Sequence, residues 1–157
     1  MATKIIGLDK LRRKLKAIPK AAKDEARKAV VLGAEEIAAL QRNLAPVDDG
    51  DLKDSIHVTK PGETTPPYSQ PGGSRTANPE QALVTAGNTK VRYAHLAEYG
   101  TAPHVNGGLF AGSQHPGTQA QPFFWPGYRA LRRRVKSRVS REINKAIKKA
   151  AQAGGTQ

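Results

Sequence analysis

The stretch that most constrains this chain lies near its end. Residues 123–152 read FFWPGYRALRRRVKSRVSREINKAIKKAAQ. Tyr128, Leu131, Val135, Val139, Ile143 and Ile147 recur at steps of three or four, which places them on one stripe of a helix. The other faces are almost entirely Arg and Lys. The pattern predicts a helix from about residue 126 to 152 that hides one narrow stripe and exposes a dense positive surface. GGTQ, residues 154–157, reads as a frayed tail.

The opposite end is also helical in pattern. Leu8, Leu11, Leu15 and Ile18 share one face, Asp9 is placed to cap its start, and Pro19 interrupts or ends it. A second, longer helix is expected over about 20–44. Val30, Ile37 and Leu44 are seven apart, with Ala26, Gly33 and Leu40 between them, and small residues on such a stripe let another helix approach closely. Pro46 stops the helix.

Between these helices the period changes. Asp48, Asp49 and Gly50 are turn chemistry. Leu52, Asp54, Ile56 and Val58 alternate with Lys53, Ser55 and His57, which predicts a short strand. Residues 59–80 hold five prolines and three glycines, so they read as a long loop. QALVTAGN predicts a second short strand ending at Asn88, and a third is expected near 89–93 or 117–124 because two strands alone are marginal. YAHLAEYGT, residues 93–101, reads as one turn of helix halted by Gly100. There Tyr93, Ala94 and Ala97 anchor the turn, and Glu98 and Thr101 fix the direction of the glycine-rich loop 102–121. The expected fold is α+β. A small antiparallel sheet packs against a long N-terminal helical region and a long basic C-terminal helix, with two long Pro/Gly-rich loops. One domain is expected over 1–157: a helical arm to 44, sheet, loops and short helix over 45–121, and the final helix over 122–153.

Composition limits the function classes. The chain of 157 residues carries a net charge of +13, split as +6 over 1–44, −2 over 45–121 and +9 over 122–157. Such asymmetry fits a polyanion nearby or a solvated helix face. Cysteine is absent, so disulfides and cysteine–zinc sites are excluded. No signal-peptide pattern occurs in residues 1–30 and no run approaches a membrane span, so a soluble protein is expected.

Catalytic and metal patterns are weak. The histidines match no zinc spacing, and Asp48, Asp49, Asp51 and Asp54 lack the central glycine and closing glutamate of a calcium loop. No phosphate-binding loop or nucleophile elbow is present. Glu98 has no partner carboxylate, so a buried or capping glutamate is the better reading than a general acid. Trp125 reads as core or interface. No cofactor or metal is expected.

Three motifs in order carry a family resemblance. APVDDGDLKDSI (45–56), YAHLAEYGT (93–101) and QAQPFFWPGYRAL (119–131) resemble those of the tail-completion, or head–tail joining (neck), proteins of long-tailed double-stranded DNA phages and prophages. Pro46, Val47, Asp48, Gly50, Leu52, Ser55 and Ile56 match the first motif. Tyr93, Ala94, Glu98, Tyr99, Gly100 and Thr101 match the second, and Gln121, Pro122 and Phe123 the third. The chain departs from the pattern at Asp49, in an enlarged 59–80 loop, and in the WPG after Phe124. The resemblance implies a non-enzymatic virion protein of the neck or tail, assembled in the bacterial host cytoplasm. It implies a ring of identical subunits between the portal side and the tail tube, with DNA passing through. The implied partners are further copies of itself, neighbouring head-completion and tail-tube proteins, and double-stranded DNA, with no membrane. Candidate DNA- or partner-facing residues are Arg132, Arg133, Arg134, Lys136, Arg138, Arg141, Lys145, Lys148 and Lys149. The alternative is a sequence-independent basic nucleic-acid-binding protein. A small hydrolase using Glu98 and His95 ranks last.

Overall fold

The computed structural model describes the backbone of residues 8–153 and the side chains of residues 20–152. In chain order it contains α1 (Leu8–Leu44), α2 (Asp51–Asp54), β1 (His57–Thr59), β2 (Leu83–Thr85), α3 (Ala94–Tyr99), β3 (His104–Val105), β4 (Gln114–His115) and α4 (Phe124–Ala153). A single 3₁₀ turn, Gly108–Phe110, links β3 to β4. The class is α+β, as the sequence pattern predicts.

The N-terminal region is one helix of 37 residues rather than two. Its backbone continues through Pro19, and it begins at Leu8, which puts Asp9 inside it. The Leu8–Ile18 face and the 154–157 tail lie outside the described side chains. A proline removes one backbone hydrogen bond and costs about 3 kcal/mol in a helix interior. Alanine-rich turns from Ala21 onward, the best helix formers, sustain the helix beyond it.

Helices α1 and α4 lie antiparallel along their length. Gln41 faces the start of α4 and donates from Nε2 to the carbonyl of Phe124 at 2.8 Å. Eight residues back along α1, Gly33 meets Val135, eight residues beyond Gly127, which sits on Gln41. The buried seam of α1 is Ala29, Gly33, Ala34, Ile37, Ala38, Gln41 and Ala45. It keeps Gly33 and Ile37 of the apolar stripe read in the sequence, and departs from that stripe at the end of the helix, where Leu44 is 45 % exposed. In α4 the middle of the expected stripe faces α1, with Val135 on Gly33, and only its ends depart. Gly127 and Ala146 are buried in the seam, whereas Tyr128 and Ile147 stay exposed at the two ends of the expected stripe. Small residues win the interface because they allow the backbones to approach closely. A Cβ added at Gly127 would sit 2.7 Å from Gln41 Cγ, and one at Gly33 would collide with Val135.

The sheet rests at one end of this helical pair. β1 and β2 are antiparallel, with His57 opposite Thr85, Val58 opposite Val84 and Thr59 opposite Leu83. The strand expected from Leu52 onward is shorter than its alternation implies. Gly50, at φ 86°, reverses the chain, and residues 51–54 form the single turn α2 instead. No third strand of this sheet forms over 89–93 or 117–124 among the described residues. Its place is taken by Gln70, which exchanges both backbone hydrogen bonds with Ala86 at 2.8 and 2.9 Å. The proline-rich segment 60–82 folds back on itself, with Thr64 bridged to Thr76 and Ala77 and Thr65 buried.

Candidate functional site

The core shows where the three sequence motifs go. Leu52 and Ile56 from the first, Ala94 from the second, and Phe123 and Phe124 from the third are all buried in one cluster with Ala34, Ala38, Ala45, Val58, Ala86 and Val91. Ser55 ties the first motif to β2: its Oγ donates to Leu52 O at 2.7 Å and accepts from Gly87 N at 3.0 Å. Gly50 supplies the left-handed turn ahead of α2. Asp48 and Pro122 stay on the surface, and Pro46 is half-buried.

Glu98 is the joint between the second and third motifs. It is only 5 % exposed. Its Oε2 accepts from the backbone N–H groups of Phe123 and Phe124, both at 2.8 Å, and its Oε1 accepts from that of Trp125 at 3.1 Å. The first backbone N–H groups of a helix have no partner within the helix, and a negative charge there also complements the helix dipole. Glu98 therefore caps α4 from 25 residues away in sequence. Glu98 is buried and capping, as its lack of a partner carboxylate implies. It does not steer the loop that follows it. That part of the expectation is corrected: the carboxylate turns toward α4, because α4 presents three donors to it.

The start of α4 is then braced from the side. Trp125 Nε1 donates to Tyr99 Oη at 2.7 Å, and Phe124, Trp125 and Tyr128 form a chain of edge-to-face rings. Tyr93 precedes α3 at its N-cap position and is 46 % exposed, so Ala94 and not Tyr93 anchors the turn. Gly100 ends α3 at φ 72° with its N–H on Leu96 O. A Cβ there would also lie 2.5 Å from Thr118 O. Thr101 pairs with Thr118 through both backbone bonds, at 3.0 and 3.1 Å, and their hydroxyls lie 2.9 Å apart. This closes the base of a finger formed by residues 102–117.

The finger is a small β3–β4 hairpin with His104 opposite His115, their rings stacked at 4.9 Å. Its tip is held by Asn106 N to Ser113 O at 2.8 Å and by Ser113 Oγ to Phe110 O at 2.7 Å. Leu109 is 99 % and Phe110 72 % exposed at that tip. Sequence reasoning gave this loop a fixed direction but missed both residues. The signal was present: between Glu98 and Arg129 the sequence has no Asp, Glu, Lys or Arg.

The basic candidates form a separate set, all on α4. Arg132, Arg133, Arg134, Lys136, Arg141, Lys145, Lys148 and Lys149 are exposed. Arg138 differs: its side chain is 16 % exposed and its Nη2 is 2.7 Å from Glu36 Oε1. It therefore locks α4 to α1 and is withdrawn from the outward-facing set. The Arg138 hydrogen bond and positive charge hold the Glu36 carboxyl below its ordinary value of 4.5. At the sheet end, the Asp51 carboxylate raises the pKa of Lys90, with 2.7 Å between the groups. Among the described residues, no three His, Asp or Glu side chains gather as metal ligands, and no helix is long and apolar enough to cross a membrane.

The family model described as "Bacteriophage HK97-gp10, putative tail-component" matches residues 9–100, more than half of the chain. The chain belongs to the HK97-gp10-like family of phage tail components. The tail-completion and neck resemblance read from the three motifs points to the same family. The match ends at Gly100, so it covers α1, the sheet and the Glu98 turn, while the finger and α4 lie beyond it. No curated protein and no solved structure matched the chain. Its family makes it a structural component of the virion tail.

Proposed function

We propose that this tail component assembles into a ring of identical copies between the portal side of the head and the tail tube, and that DNA passes through the ring. The observation that carries this reading is the family match over α1, the sheet and α3, joined to a site whose polar groups are spent on structure. The one buried carboxylate at the motif junction binds three backbone N–H groups. Among the surfaces the fold leaves facing outward are an uncharged finger and a cationic helix, which are features of an assembly part. In the ring, the exposed α4 side chains from Arg132 to Lys149 face either the passing phosphates or an acidic neighbouring ring.

Electron microscopy of the purified protein, alone and mixed with phage heads or tails, tests this. Rings, or density added at the head–tail junction, are expected. Monodisperse particles that bind neither heads nor tails would refute it. The exposed α4 cations favour a second reading, sequence-independent nucleic-acid binding. That reading requires tight binding to free DNA with steep salt dependence, log affinity falling by about 0.9 per phosphate contact for each tenfold rise in salt. The ring reading predicts weak affinity for free DNA.

A further inference from the structure

The finger tip and the cavity beside Glu98 fit one another across two copies of the chain. The cavity is about 100 Å³ and opens between α3 and the start of α4. Pro71, Ala86, Ala94, Phe123, Phe124 and Trp125 wall it, and Glu98 lies against it with both carboxylate oxygens engaged. A cavity of about 150 Å³ lined by apolar side chains takes benzene, whereas sites for small-molecule ligands run from about 300 Å³. This cavity is therefore sized for a single apolar side chain.

The tip offers such a side chain. Leu109 and Phe110 are 99 % and 72 % exposed, so their own chain covers neither. The hydrogen bonds through Asn106, Phe110 and Ser113 hold the tip in shape before any contact, which lowers the ordering cost of binding.

Charge favours a second copy as the occupant. Each copy carries +13, so two copies meet least repulsion where their contacting surfaces are free of Lys and Arg. The whole finger is free of them, and so is the rim of the cavity, where Gln70, His95 and Tyr99 stand. An acidic partner would instead be drawn to α4.

From this we infer that Leu109 or Phe110 of one copy seats in the α3–α4 cavity of the next. Finger and cavity are different patches, so the contact is head-to-tail and repeats around a ring. The inference rests on the ring reading above and names the surfaces that build the ring.

The chain has no cysteine, which makes a cross-linking test clean. Leu109→Cys and His95→Cys proteins are mixed at high concentration under mild oxidation. A disulfide joining the two different variants is expected, and the double variant Leu109→Cys/His95→Cys should give a ladder that ends at a closed ring. Leu109→Asp/Phe110→Asp should weaken self-association by about tenfold or more, since the one side chain that seats in the cavity contributes a factor of about ten or more. Its melting temperature should stay unchanged, because both side chains are exposed in the single copy. If the wild type forms rings but the mixed disulfide is absent and the Asp variant assembles normally, the finger contact is overturned and the ring stands. If the wild type forms no assembly at any concentration and no disulfide appears, both are overturned.

Discussion

Replacing Glu98 by alanine removes the cap of α4 and leaves the N–H groups of Phe123, Phe124 and Trp125 without their acceptor. Phe123 and Phe124 are 1 % and 8 % exposed, so water cannot take over there, and each stranded donor costs about 1–3 kcal/mol. Trp125 is half-buried, and water replaces most of its loss. The expected total is about 2–6 kcal/mol, out of the roughly 5–15 kcal/mol that holds a domain together. At about 2–4 °C per kcal/mol for a chain of this size, the melting temperature should fall by roughly 4–24 °C. Glu98→Gln keeps the shape and one acceptor oxygen but sets an amide NH₂ against a backbone N–H, so it should fall between wild type and alanine. Thermal and urea unfolding give the size of the effect. Hydrogen exchange locates it, with the 123–125 amides losing protection first. If Glu98→Ala unfolds within about 0.5 kcal/mol of wild type, the capping argument is wrong. Loss of turnover of some substrate with stability intact would instead return Glu98 to catalysis.

Other expectations follow from the same contacts. Gly33→Val should destabilise by about 1–3 kcal/mol by overpacking the α1–α4 seam, and Val135→Ala in the same chain should recover part of it, as chemical denaturation would show. Gly100→Val places a branched side chain at φ 72° against Thr118 and should lower both folding yield and assembly, read by solubility and sedimentation. The Glu36 carboxyl is held low in the folded chain by Arg138, so its contribution is present above about pH 4.5 and is lost as pH falls through the lowered folded value. Melting temperature should therefore drop more steeply below pH 4.5 in wild type than in Glu36→Gln.

The sequence carried the outline of this fold because its helices are long and periodic. The apolar stripe of residues 128–147 on its basic helix and the alanine-rich 20–44 stretch gave α4 and most of α1 directly. Their facing residues were placed in part: Gly33, Ile37 and Val135 face the partner helix as read, whereas Leu44, Tyr128 and Ile147 at the ends of the stripes stay exposed. Pro19 misled because a single lost hydrogen bond is a local cost that the many bonds of a long helix outweigh. Alternation from Leu52 to Val58 looked like one strand, but the positive φ at Gly50 favours a turn and only His57–Thr59 pairs. Glu98 was legible as buried or capping, yet its target was not, since a cap reaching over 25 residues leaves no local spacing to read. The tip residues Leu109 and Phe110 were hidden in a loop that glycine content alone defined.

The account depends on this chain being a part that joins others. The direct test is electron microscopy of particles made by a phage whose copy of this gene is disrupted, with the intact gene supplied as a control. The account predicts heads and tails that fail to join or tails that stay incomplete, no infectivity, and rescue by the intact gene. Complete and infectious virions formed without this chain would contradict it.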